Sequence, residues 1–161
     1  MHAFIDFRIQ HLGFSWMSGR FNHFTGHFDY DENNPAAASV SVMIETNSID
    51  TNHAERDKHL RDEDFLAVDE FPKATFVSRS FTENADGTAV LLGDFTLKGI
   101  AKPLEIIVTP VGHGADPWNG YRRGFVGEAK IKLTDYNIGI GKLGEKSNLV
   151  LLTLSVEGIR Q

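Results

Sequence analysis

The sequence predicts an all-β fold, an antiparallel barrel of eight strands with one short α-helical segment at about residues 52–66. Three observations predict it. Apolar and polar residues alternate at period 2 through most of the chain, as in strands with one buried face. Turn-forming clusters punctuate the alternating runs at short intervals. The period shifts towards that of a helix only once, after Thr51.

The elements follow in order. Ile5, Phe7 and Ile9 alternate with Phe4, Asp6, Arg8 and Gln10. The stretch from Gly13 to Gly19 reads as a bend. Beyond it, Phe24, Gly26, Phe28 and Tyr30 share one face. Asp31-Glu32-Asn33-Asn34-Pro35 joins side chains that form local turns with a proline of restricted φ. Val40, Val42, Ile44 and Thr46 make the next buried face. Asn52-His53-Ala54-Glu55 reads as an N-cap with an acceptor three residues on, a capping-box arrangement. Ala54, Leu60, Phe65 and Leu66 are too small an apolar set for a separate helical core, so the helix caps or flanks the sheet. After Pro72, strands are expected over 75–81, 89–98, 103–111, 124–133 and 149–157. Their connections are a hairpin turn at 84–87, a link over 98–103 and a longer loop over 112–120. Gly26, Gly93 and Gly127 fall on the presumed inner face, where a strand glycine marks a bend or the close approach of a ligand. Eight-stranded barrels are of a size that holds one small ligand.

Composition narrows the function. The 161 residues fit one domain, 1–161. Twelve Phe stand against 3 Tyr and 2 Trp. Phe carries no polar atom, so this excess favours a broad apolar interior. The net charge of −6 argues against nucleic acid, whose phosphates need a basic surface. No run of Lys and Arg marks an anionic membrane surface. Without cysteine there is no disulfide, thiolate metal site or cysteine nucleophile. No stretch approaches the ~18 apolar residues of a membrane span. The sequence opens without a basic-then-apolar leader.

The residues offer little catalytic chemistry. His23 and His27 on one strand stand ~13 Å apart, too far to share an ion. His53 with Asp57, and Glu55 with His59, are helical neighbours without a third ligand nearby in sequence, and read as surface pairs. Ser15 and Ser18 lie near His11 with neither an oriented base nor an oxyanion hole in view. In the charged segment around the helix, Arg56 or His59 turned inwards at a barrel mouth would meet a ligand's polar head; the guanidinium fork suits phosphate. A solvated helical face is the alternative.

The sequence also resembles a known family. The motifs 2–13 (His-Ala-Phe-Ile-Asp-Phe-Arg-Ile-Gln-His-Leu-Gly), Gly19-Arg20-Phe21, Ser48-Ile49-Asp50-Thr51-Asn52 and Glu55-Arg56-Asp57-Lys58-His59-Leu60-Arg61 are similar to those of the YceI polyisoprenoid-binding proteins. Phe71-Pro72-Lys73-Ala74-Thr75-Phe76, Gly93-Asp94-Phe95-Thr96-Leu97-Lys98-Gly99, Lys102-Pro103, Asp116-Pro117-Trp118 and Gly124-Phe125 extend the likeness in order along the chain. The resemblance implies a lipocalin-like eight-stranded barrel that carries a polyisoprenoid, an isoprenoid quinone or a similar long-chain amphiphile, without chemistry and with no cofactor required. It also implies a periplasmic location, with a cytoplasmic one left open by the missing leader, and homodimerisation. The family's first strand begins before the His2 motif, so either the chain is trimmed or its start lies upstream. An enzyme acting on a lipid or quinone, and a packed structural or stress-response barrel that binds partners, are the rival readings.

Inward alternation supplies the expected channel lining: Ile5, Phe7, Ile9, Phe24, Phe28, Val42, Ile44, Phe76, Phe95, Leu97, Ile106, Phe125, Leu152 and Leu154. His11, Trp16, Arg56 and Trp118 are the expected residues of the mouth.

Overall fold

A computed structural model describes residues 2–161. Its strands are β1 (Phe4–His11), β2 (Ser15–Phe21), β3 (Phe24–Asp29), β4 (Ser39–Glu45), β5 (Ile49–Asp50), β6 (Lys73–Glu83), β7 (Ala89–Leu97), β8 (Ile100–Ala115), β9 (Tyr121–Lys132) and β10 (Leu149–Ile159). One α-helix, α1 (Ala54–Arg61), follows β5. All pairings are antiparallel, in the order β3-β4-β6-β7-β8-β9-β10-β1-β2-β5.

The two ends of that order are one place in space. β2 runs into β3 through Asn22 and His23, and β4 into β5 through a single 3-10 turn. The Asn22 N–H donates to Ser48 O (3.1 Å) and the Glu45 N–H to His23 O (3.0 Å), carrying the ladder across both interruptions. Ten segments thus make the eight strands of a curled, closing barrel. Past the pair Phe4–Ser155, β3 and the last residues of β10 face each other without a ladder between them. There the Phe28 ring lies over Gly158, where a Cβ would be 2.4 Å from it.

Several elements differ from the sequence expectation. The stretch over 13–19 is a tight turn at 12–14 followed by strand β2, whose inward positions Ser15 and Gly19 hide the alternation. Gly19 leaves room for the Phe7 ring, 2.4 Å from where a Cβ would stand. β8 extends into both the expected link and the expected loop, from Ile100 to Ala115. Its two prolines explain how. Pro103 pairs with β7 before pairing to β9 begins at Ile106, and Pro110 pairs with β9 after pairing to β7 ends at Val108. Each sits where one side of the strand needs no donor. The helix is shorter than 52–66. His53 is its N-cap, with Nδ1 accepting from the Arg56 N–H (3.3 Å), while Asn52 stands outside it at φ 61°.

The barrel has two dissimilar ends. At the helix end lie the β1–β2 turn, α1 and the segment 133–148. Arg61 pins α1 to the wall there, donating from Nε to Asn47 O (2.8 Å) and from Nη2 to Ile49 O (2.7 Å). Lys98 Nζ reaches Glu63 O at 2.9 Å. At the termini end lie the turns near 31–38, 84–88 and 116–120, with residues 2–3 and 160–161.

Candidate ligand cavity

The interior holds a cavity of about 1920 Å³ that reaches from one end of the barrel to the other. All fourteen residues expected on the channel lining border it. They reach it because inward positions recur at every second residue, and the register keeps neighbouring strands in step: Ile5 stands opposite both Leu154 and Phe21, Phe76 opposite both Val42 and Phe95.

Burial divides the fourteen by position. Ile5, Phe7, Ile44, Phe76, Phe95, Leu97 and Ile106 are buried against one another. Ile9, Phe24, Phe28, Val42, Phe125, Leu152 and Leu154 point inwards yet are only half-buried, because one side of each borders the cavity. Inside the termini end, Phe28 and Tyr30 pack edge-on against Phe125, with ring centroids 5.6 and 6.0 Å away.

Polar groups collect at the two rims and leave the waist apolar. At the helix end Arg56, His59, Asp64, His11 and Gln10 border the cavity. Arg56 is held by Thr51, donating from Nε to Oγ1 (2.7 Å) and from Nη2 to the carbonyl (2.6 Å). Thr51 is itself clamped by the buried Asp57 carboxylate, which accepts from the Thr51 N–H (2.9 Å) and hydroxyl. The His59 ring stacks edge-on against Phe65 (4.8 Å). Asp57 and His53 are therefore engaged within the helix cap, and no cluster of three His, Asp or Glu placed to hold a metal occurs among the described residues.

At the termini end Arg123 lies 4.6 Å over the Tyr30 ring and pairs with Glu32. The Tyr30 hydroxyl donates to Glu83 (2.8 Å), and this bond, with burial and the Glu83 charge, raises its pKa above the usual 10.0. Tyr121 shares a hydrogen bond with His113 Nδ1 (2.5 Å). The sequence reading missed Tyr121 and Arg123, although both continue the alternation of Phe125 and Gly127 two residues at a time.

Of the four expected mouth residues, Arg56 and His11 border the cavity. Trp16 and Trp118 do not. Trp16 alternates with Met17 and so faces outwards, under the Arg8 guanidinium at 5.2 Å. Trp118 sits outside the termini end, 5.4 Å from Arg122. Its turn is tied by Asp116, whose pKa is lowered by the Arg122 hydrogen bond and next by the Gly120 N–H.

Comparisons with known proteins match the chain over almost its whole length. The profile of the YceI-like domain aligns with residues 1–158. The chain belongs to the YceI family. A UPF0312 protein of Yersinia enterocolitica is 55% identical over 159 residues, covering 99% of this YceI chain and 82% of the relative. A UPF0312 protein of Pseudomonas aeruginosa is 56% identical over 160 residues, covering 99% and 83%. Among solved structures, Burkholderia cenocepacia BcnA superposes with a TM-score of 0.87 at 21% identity, covering 97% of this chain and 96% of that one. A polyisoprenoid binding domain from Saccharophagus degradans gives a TM-score of 0.68 at 15% identity, over 96% and 92%. At these identities the two structures share the YceI barrel with this chain.

Proposed function

We propose that this barrel binds and carries a long-chain isoprenoid, an isoprenoid quinone or a similar amphiphile in its cavity, without chemistry and without a cofactor. The observation that carries the reading is the cavity itself, about 1920 Å³ with an apolar waist. That is roughly twice the upper size of ordinary small-molecule pockets, ~1,000 Å³. Apolar tails enter it at about 25 cal/mol per Å² of area withdrawn from water, a term that does not discriminate between tails. Selection falls to the rims. Arg56 uses two of its five N–H donors on Thr51, which aims the remainder at a headgroup. The polyisoprenoid-binding neighbour supports the ligand class. An enzyme would need titratable groups in the waist, and those bordering the cavity lie at its rims. The periplasm is the compartment we propose, and fractionation of cells expressing the protein tests it.

Native mass spectrometry of freshly purified protein, followed by organic extraction, tests the carrier reading. One adduct releasing a polyprenyl lipid or quinone in near-stoichiometric yield is expected. A bare protein that stays bare after incubation with such lipids would sink it.

A further inference from the structure

One outer surface joins residues that the sequence keeps far apart. At the tip of the β1–β2 hairpin Phe14 is 88% exposed and Leu12 41%; Trp16 is 48% exposed and Leu149 40%. All four lie at the helix end. The register sets basic side chains among them. Lys132 stands opposite Leu149, Lys130 and Arg8 flank Leu151, and Arg8 stacks over Trp16. The Lys146 stem lies over Gly13 in the hairpin turn, and Lys142 borders the cavity rim. None of these five cations is paired with a carboxylate among the described residues. Asp135 and Glu145 lie on the adjoining segment, and Asp6 and Glu128 two residues from Arg8 and Lys130 on the same strand faces, so five cations meet four acids on a molecule whose net charge is −6.

Exposed aromatics ringed by cations suit one partner, an anionic lipid interface. Aromatic side chains lodge at headgroup level, and lysines and arginines are drawn to negative lipid. Another exposed apolar pair, Val111 (70%) and Trp118 (74%), lacks this character, because the neighbouring Arg122 is held between Asp116 and Glu157. We propose that the β1–β2 hairpin tip and the cation cluster beside it dock the barrel on an anionic bilayer. Ser147 links that surface to the cavity. Its hydroxyl donates to Gln10 O (2.7 Å) in β1, and the adjoining segment 139–143 borders the cavity. A Cβ at Gly139 or Gly141, which border the cavity, would meet nothing within 4 Å, and a tail would pass beside them. The passage of a tail rests on the carrier reading; the docking does not.

Vesicle flotation tests the docking, with phosphatidylcholine vesicles made with and without phosphatidylglycerol. The protein is expected to float only with the phosphatidylglycerol vesicles and to detach as salt rises. Lys132→Gln/Lys142→Gln should weaken partitioning about 25-fold, roughly fivefold per cation. Phe14→Ser/Trp16→Ser should also weaken it, while Trp118→Ser leaves it unchanged, with matched thermal melts showing that all variants fold. Flotation with neither vesicle, equal flotation with both, or an equal loss in Trp118→Ser would overturn the proposal. So would light scattering of a dimer that Phe14→Ser/Trp16→Ser disperses, which would assign the face to a second copy. Extraction of cavity lipid from the same variants reports separately on carriage. A Phe14→Ser/Trp16→Ser protein that keeps its lipid but does not float would support docking independently of cargo.

Discussion

At Gly93 a single methyl group has no room. A Cβ there would lie 2.5 Å from the Phe76 ring and 2.5 Å from the Val77 carbonyl, and a backbone oxygen in a paired strand cannot give way. Gly93→Ala should cost about 2 kcal/mol, in the range of overpacked cores. Gly112→Ala, with nothing within 4 Å, should leave the urea midpoint almost unchanged. Tyr136 gives a pH signature. Burial, and next the Asp135 charge, push its phenol from 10.0 up to about 12. The fold prefers the neutral phenol, so the stabilisation is complete below pH 10 and disappears as pH rises through about 12. Urea midpoints across that window should fall more steeply in the native protein than in Tyr136→Phe. At this scale the sequence was informative wherever a strand alternates large apolar residues, which is why Ile5, Phe7 and Ile9 could be assigned a face. It was silent where the inward residue is Ser15 or Gly19, since a small or polar residue breaks the pattern while still facing in.

Among the elements, α1 is the least self-sufficient. Its eight residues bury only Asp57, so tertiary bonds hold it. Asp57→Ala removes the acceptor for the buried Thr51 N–H and should cost about 1–3 kcal/mol. It should also release Arg56, and faster hydrogen exchange over 51–61 than over β6 would show that loosening. If exchange there is unchanged, the Asp57 clamp is not what holds the cap. The helix was legible as a break in period, but its cap was not. Asn52 has the better capping side chain, yet it adopts positive φ and the imidazole of His53 takes the position. The length of β8 was hidden for a comparable reason. Prolines signal a strand's end unless the neighbouring strands begin and stop around them, and that staggering is a property of the sheet.

For the whole molecule, a cavity of about 1920 Å³ would make stability depend on any ligand that fills it. A ligand held at one hundred times its dissociation constant adds about 2.7 kcal/mol. For a chain of this size that is worth about 5–10 °C in Tm, at roughly 2–4 °C per kcal/mol. Delipidated protein should melt lower by that amount and recover on adding back the extracted lipid. Leu154→Trp, which puts an indole into the cavity, should lower the lipid yield while raising the melting temperature of the empty protein. Barrel and cavity were legible because alternation over many strands implies two faces and the Phe excess favours a wide inner one. The docking face was not, because Arg8, Lys130 and Lys132 become neighbours only when β9, β10 and β1 lie side by side.

The pairing of Phe4 with Ser155 gives this protein a particular order of birth. β1 must wait, one edge exposed, for β10 to leave the ribosome before the two can pair. Such end-to-end pairing is slow to form, and an unpaired strand edge is vulnerable to aggregation meanwhile. A chain whose β10 has not yet emerged therefore lacks one wall of the cavity. A hydrophobic molecule present at assembly would also act as a template, lending the half-built wall an inner surface to close around.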